Sequence, residues 1–87
     1  MLLSTTIRTS EDVPYTMTMF RASDIHKYVL SFEPQSYFNH KSERHEFDSF
    51  EDCFDHYSRN LHYYTGKRAE PLTEEQFLLI KPHTLIA

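Results

Sequence analysis

The stretch ERHEFDSFEDCFDHYSRNLHYYTGK, residues Glu43 to Lys67, decides the fold because it contains a strand end, a helix cap and one amphipathic helix. Its large apolar residues recur at spacings of 4, 3, 4 and 3, the period of a helix with a single apolar stripe. The stripe consists of Phe50, Phe54, Tyr57, Leu61 and Tyr64. Asp48 with Glu51 has the spacing of a capping box, and Ser49 is the other candidate cap. Gly66 suits the left-handed position that ends a helix.

The chain before this helix shows the alternation of half-buried strands. Large residues alternate with smaller or polar ones at positions 3–7, 15–19 and 28–32. Turn-forming residues separate these runs, and consecutive strands with short connections usually pair as neighbours. Arg44 to Asp48 reads as a fourth strand that runs directly into the helix.

The segment 24–33 fits two structures. Its alternation is that of a strand, but Ser23 can cap a helix, and Ile25, Val29 and Phe32 also fall at helical spacing. The aromatic and β-branched content favours the strand.

The segment 72–81 is also ambiguous. Thr73 and Gln76 have the spacing of a capping box, which favours a helix of about two turns before Pro82. The run FLLIKP is equally suited to a short last strand. We expect the helix, followed by an extended tail at 84–86.

Length and composition describe one domain, residues 1–87, of the α+β class. The lone cysteine, Cys53, permits no intramolecular disulfide, so a cytoplasmic protein is expected. No apolar run reaches the roughly 20 residues of a membrane span, and the first residues lack the regions of a secretory signal. We expect a small antiparallel sheet of three to four strands packed against one long helix, over about 49–66, with a short C-terminal helix or strand.

Negative charge is concentrated in residues 43–55, the acidic strand–helix unit. Six acids and one arginine give this unit a charge of −5, whereas the whole chain carries −4, so the other residues sum to +1. The acids are Glu43, Glu46, Asp48, Glu51, Asp52 and Asp55. The broad basic footprint of a nucleic-acid-binding protein is missing. The unit serves solubility and capping, or it binds a partner, for example by imitating a row of phosphates.

The helix face opposite the apolar stripe carries side chains suited to recognition. Its members are Asp52, Asp55, His56, Arg59, His62 and Tyr63. Asp52 and His56, Asp55 and Arg59, and Arg59 and Tyr63 are each four residues apart. Such pairs stabilise an exposed helix by about 0.2–0.5 kcal/mol each. The alternative to a contact surface is therefore an ordinary solvent-exposed helix face that these pairs stabilise.

The residues that carry chemistry form no catalytic pattern. His56 and His62 are six residues apart, whereas two metal ligands on one helix are three or four apart. Asp52 with His56 is a conceivable ligand pair, and His45 could approach it from the strand. Cys53, at the margin of the stripe, reads as a small packed hydrophobe. No phosphate-binding loop, dinucleotide fingerprint or nucleophile elbow occurs, so we expect a non-enzymatic protein without a metal or cofactor.

These features favour a module that binds a basic surface of another protein through the acidic strand–helix unit. An exposed aromatic residue in the preceding loop, Tyr37 or Phe38, can anchor such a contact. The predicted partner-binding residues are Glu43, Glu46, Asp48, Glu51, Asp52, Asp55, His56, Arg59, Tyr63, Tyr37 and Phe38.

In size, acidity and expected architecture the chain resembles small phage-encoded inhibitors of host machinery, anti-CRISPR proteins among them, although no residue motif identifies a family. The resemblance implies an inhibitor that acts in the cytoplasm of a bacterial host and blocks a nucleic-acid-binding or other functional surface of a host protein. One alternative is a DNA- or RNA-binding regulator that uses Arg8, Arg21 and Lys27 on the sheet. The other is a histidine-based metal-binding domain.

Overall fold

In the described part of the chain, four strands are followed by two helices. The computed structural model describes residues 2–35 and 41–80. Within them the elements are β1 (Leu2–Arg8), β2 (Pro14–Ala22), β3 (Lys27–Pro34), β4 (Glu43–Phe47), α1 (Phe50–Thr65) and α2 (Glu74–Leu78). The predicted α+β class, with one long helix and a short C-terminal one, is confirmed.

The strands form one antiparallel sheet in the order β1-β2-β3-β4, so that β1 and β4 are its edges. The predicted alternation places one row of large side chains across the sheet: Leu3 pairs with Met19, and Met19 with Leu30. Residues at alternate positions of a strand share a face. This row lies on the face that the helix covers, because Met19 and Leu30 are buried in one cluster with residues of α1. The other face is mixed: it carries serines and threonines of β1, β2 and β3, together with Phe20, Val29 and several charged residues.

Helix α1 packs a buried row against this face. Phe50, Tyr57 and Leu61 are buried, as predicted, but Cys53 is fully buried while Phe54 is only partly so. The expectation that Cys53 lies at the margin was wrong. The row that faces the sheet has spacings of 3, 4 and 4, so the thiol occupies the middle of the helix–sheet interface and Phe54 lies at its border.

The helix ends depend on two local contacts. Ser49 is the N-cap, and its Oγ accepts a hydrogen bond from the Asp52 amide at 3.2 Å. Asp48 is not the cap, because its carboxylate bonds to Lys27 instead. Gly66 ends the helix with φ of 73°, and its amide donates to the His62 carbonyl at 2.8 Å.

Both ambiguous segments have the structure that we favoured. Residues 27–34 form a strand, which follows the tight turn at 23–26. Thr73 and Gln76 form the predicted capping box, with reciprocal bonds of 3.2 and 3.1 Å. The expected extended tail at 84–86 lies outside the described residues.

Helix α2 is held against the core by Phe77 and by a hydrogen bond to Glu74. Phe77 is fully buried, and its ring lies 5.5 Å from that of Phe50 and 6.1 Å from that of Tyr28. The Tyr28 hydroxyl donates a hydrogen bond to the Glu74 carboxylate, which holds the first turn of α2 against β3. A five-residue helix cannot be stable alone, so these contacts determine its position.

We predict that Phe77→Ala lowers the free energy of unfolding by about 3 kcal/mol, because it removes a buried ring and leaves a cavity. Urea titration followed by circular dichroism measures the change. Leu79→Ala is the control, since Leu79 is 78% exposed and its loss should alter stability by less than about 0.5 kcal/mol. Equal effects of the two substitutions would contradict the proposed docking of α2.

Candidate functional site

Strand β4 divides its charged side chains between the two faces of the sheet. The ring centroid of His45 lies 6.2 Å from that of Phe32, on the helix side. The Arg44 guanidinium lies 5.7 Å from the ring centre of Phe20, on the other side. By alternation, Glu43 lies on the side of His45 and Glu46 on the side of Arg44. The predicted acids of β4 therefore do not share one face.

Each acid of β4 has a basic neighbour. Glu43 lies 3.4 Å from the His45 ring nitrogen, and Glu46 lies 3.4 Å from Arg44. All four side chains are exposed, so these pairs contribute little stability. The Arg44 guanidinium reduces the net negative charge that β4 presents on the face away from the helices.

Among the described residues, the acids of the unit 43–55 that have no ion pair lie at the start of α1. Asp48 pairs with Lys27, and this hydrogen bond raises the pKa of the lysine. Asp55 pairs with Arg59 at 3.1 Å, as the spacing predicted. Glu51 and Asp52 are exposed and form no ion pair within residues 2–35 and 41–80. Two adjacent carboxylates on the first turn of a rigid helix are thus open to a partner.

His56 differs from its predicted arrangement. Its Nδ1 lies 2.8 Å from the main-chain carbonyl of Asp52 and makes no bond to the Asp52 carboxylate. Because a carbonyl can only accept, Nδ1 carries a proton in this contact. The ring centroid lies 4.7 Å from that of Phe47, so the side chain, although exposed, is turned towards β4. His56 therefore belongs to the helix–strand junction more than to the outward row.

A cleft of about 700 Å³ opens between the sheet, mainly β3 and β4 with Ile7 of β1 and Tyr15 of β2, and the part of α1 from His56 to Tyr64. Tyr15, Phe32 and Tyr64 contribute aromatic surface, while His45 and His56 contribute polar groups from opposite walls. Sequence reasoning missed this cleft because its walls are distant along the chain. One sequence signal could have indicated the cleft: His45 is a polar residue at a position of β4 that faces the helix side of the sheet.

The outward row of α1 continues beyond the acids with Arg59 and Tyr63. The Tyr63 side chain is 80% exposed, and its ring packs edge-on against Tyr64 at 4.8 Å. Arg59, Tyr63 and Arg68 border a shallow groove at this end of the helix. Two further predicted residues, Tyr37 and Phe38, lie outside the described residues.

The cysteine and the histidines show no arrangement for catalysis or metal binding in the described part of the chain. Burial raises the pKa of the Cys53 thiol to about 12, which disfavours the thiolate that a nucleophile requires. Among residues 2–35 and 41–80 there is no group of three or more His, Cys, Asp or Glu side chains that could hold a metal ion. His40 and His83 lie outside these residues.

The basic residues considered for nucleic-acid binding are dispersed. Arg8 pairs with Asp12 at 3.1 Å, and Lys27 pairs with Asp48. Arg21 lies 5.7 Å from the ring centre of Tyr28, on the helix-covered face of the sheet and not on the face that Arg8 and Lys27 share. The three cations do not form one stripe along which a phosphate backbone could run.

No family model, curated protein or solved structure matches the chain. In the described ranges, neither helix combines the length and the apolar character needed to cross a membrane.

We predict that alkaline pH destabilises the protein in part through Cys53. The unfolded chain releases the thiol proton near the ordinary pKa of 9.0, whereas the folded chain retains it up to about 12. The contribution of Cys53 to the free energy of unfolding is therefore fully present below pH 9. It decreases as the pH rises from 9.0 towards 12.

Urea unfolding of wild type and Cys53→Ala, at neutral pH and at about pH 10.5, measures this contribution. The alkaline loss should be about 1–2 kcal/mol smaller in the variant, while losses from the buried Tyr28 and Tyr57 are common to both. An identical alkaline loss in both proteins would contradict the prediction.

Proposed function

We propose that this protein is a small non-enzymatic protein-binding module whose acidic strand–helix unit docks on a basic surface of another protein. The observation that carries the proposal is the pair of exposed carboxylates, Glu51 and Asp52, which form no ion pair within the described residues. A cationic partner can bind them without first breaking an internal salt bridge.

The surroundings of these carboxylates support recognition by a protein. They project from the first turn of a helix whose inner face is buried, so a partner would meet groups that are already ordered. Preorganised groups cost less conformational entropy on binding than flexible ones. The adjacent pairs Asp55–Arg59 and Asp48–Lys27 can exchange their partners for charges across an interface. Tyr63 supplies an exposed aromatic side chain on the same helix.

The form of binding that we propose is inhibition. In a host protein that holds nucleic acid in a basic channel, cations are placed to meet a row of phosphates. Carboxylates spaced along a helix can occupy such a channel and exclude the nucleic acid. An inhibitor of this kind, comparable to anti-CRISPR proteins, would act in the cytoplasm of a bacterial host.

We predict that Glu51→Lys combined with Asp52→Lys weakens partner capture on the order of tenfold or more, because it replaces attraction to a basic surface with repulsion. The tagged protein is incubated with bacterial lysate, captured proteins are identified by mass spectrometry, and the purified partner is titrated against both forms. Binding of the wild type should weaken as salt is added.

The matched control is Glu70→Lys combined with Glu75→Lys. It makes the same change in charge at two exposed positions, one of them also in the first turn of a helix, but outside the acidic unit. Circular dichroism confirms that both double variants are folded. If they bind equally well, the acidic face is not the contact. If the wild type instead shifts a labelled DNA duplex at low salt, the nucleic-acid-binding alternative replaces this proposal.

A further inference from the structure

Strand β1 is an edge strand, and among residues 2–35 and 41–80 no other strand pairs with its outer side. The sheet order places it next to β2 alone, and the described part of the chain makes no other backbone hydrogen bond to residues 2–8. Alternate amide and carbonyl groups along one side of these seven residues therefore point away from the sheet. Such a row is a template for another strand.

The two edges of the sheet are built differently. The five residues of β4, Glu-Arg-His-Glu-Phe, carry charged or ionisable side chains at four positions. Charges of this kind block the approach of another strand. The seven residues of β1, Leu-Leu-Ser-Thr-Thr-Ile-Arg, contain no charge before Arg8 and no proline. Only β4 has the usual protection of an exposed edge.

We propose that β1 is an interface between two copies of this chain, paired antiparallel about a twofold axis at Thr5. The occupant follows from the self-complementary sequence of the strand. In this register Leu3 faces Ile7 of the second copy, and Ser4 faces Thr6 of the second copy. Thr5 faces its own counterpart on the axis. Apolar residues thus meet apolar ones, and hydroxyl groups meet hydroxyl groups.

The two faces of the sheet agree with this register. Leu3 and Ile7 point to the side covered by the helices, and Leu3 is only partly buried, so pairing would extend the core across the axis. Ser4 and Thr6 are exposed on the opposite face. Seven residues facing seven give about six to eight hydrogen bonds in an antiparallel ladder.

Charge also favours a second copy at β1. The only charged residue of the strand, Arg8, faces the uncharged Leu2 of the second copy in this register, so no like charges meet. The acidic strand–helix units lie towards the β4 edges, at the two ends of the resulting eight-stranded sheet. A dimer would therefore present two binding surfaces on opposite sides, and a partner with repeated sites would be held more tightly by both.

The test is the mass of the protein in solution as its concentration is varied. Sedimentation velocity should show a dimer of twice the 10.5 kDa chain mass. Ser4→Lys combined with Thr6→Lys should be monomeric, because lysines would face each other at two places across the axis. A wild-type protein that remains monomeric at every concentration tested would overturn the proposal.

Two controls separate pairing at β1 from general damage. Thr16→Lys combined with Thr18→Lys, on β2, places equal charge on the same face and disturbs the same hydroxyl contacts, Ser4–Thr18 and the Gln35 amide to Thr6 and Thr16. This variant should remain dimeric.

The second control is a mixture of two variants. The lysine variant at positions 4 and 6 should dimerise when mixed with its glutamate counterpart, Ser4→Glu with Thr6→Glu. Failure of the mixture to associate would contradict the register.

A disulfide tests the position of the axis. Facing residues of an antiparallel pair have Cα atoms about 4.5–5.5 Å apart, within the range that a disulfide spans. Thr5→Cys should therefore form a covalent dimer on oxidation, while the buried Cys53 remains reduced. Ser10→Cys, in the turn after β1, is the control and should not cross-link. A dimer that Thr5→Cys fails to cross-link would overturn the twofold axis at Thr5.

Discussion

The junction between β4 and α1 is the constraint on which the rest of the structure depends. Only Asp48 and Ser49 separate the last residue of the strand from the first residue of the helix. Ser49 caps the helix, and Asp48 bonds to Lys27 at the start of β3, so both residues of the connection are held in place. The direction of the strand therefore sets the direction of the helix. It also sets which side of the helix faces the sheet, and so places Phe50 and Cys53 in the core.

This short connection also determines how the acids are distributed. A strand turns alternate side chains to opposite faces, whereas a helix turns them through about 100° per residue. Of the six acids in residues 43–55, some lie on the strand, one in the connection and the others on the helix. Their side chains therefore point in different directions around the junction and do not form a flat face. Exposed ion pairs such as Glu46–Arg44 are worth about 0–1 kcal/mol, so these charges contribute little to the stability of the fold.

The two edges of the sheet complete this layout. The charged edge, β4, leads into the first turn of α1, whose carboxylates Glu51 and Asp52 we propose as the contact for a partner protein. The other edge, β1, carries the surface that we propose for a second copy. These surfaces lie on opposite sides of the same sheet. Binding of a partner protein therefore does not obstruct pairing with a second copy, and the core of the domain lies between the two surfaces.

The sequence by itself determined the elements, because local periodicity and capping are written in neighbouring residues. The stripe of α1, the cap at Gly66 and the reciprocal pair Thr73–Gln76 are examples. Tertiary structure alone decided which face a side chain shares with distant residues. It moved Cys53 from the margin into the core, and it turned the His56 ring towards Phe47 and onto the main-chain carbonyl of Asp52 in place of the Asp52 carboxylate. The reason is that the angle between helix and sheet depends on the packing of Met17, Met19 and Leu30 beneath the helix, and contacts between distant residues leave no periodic trace in the chain.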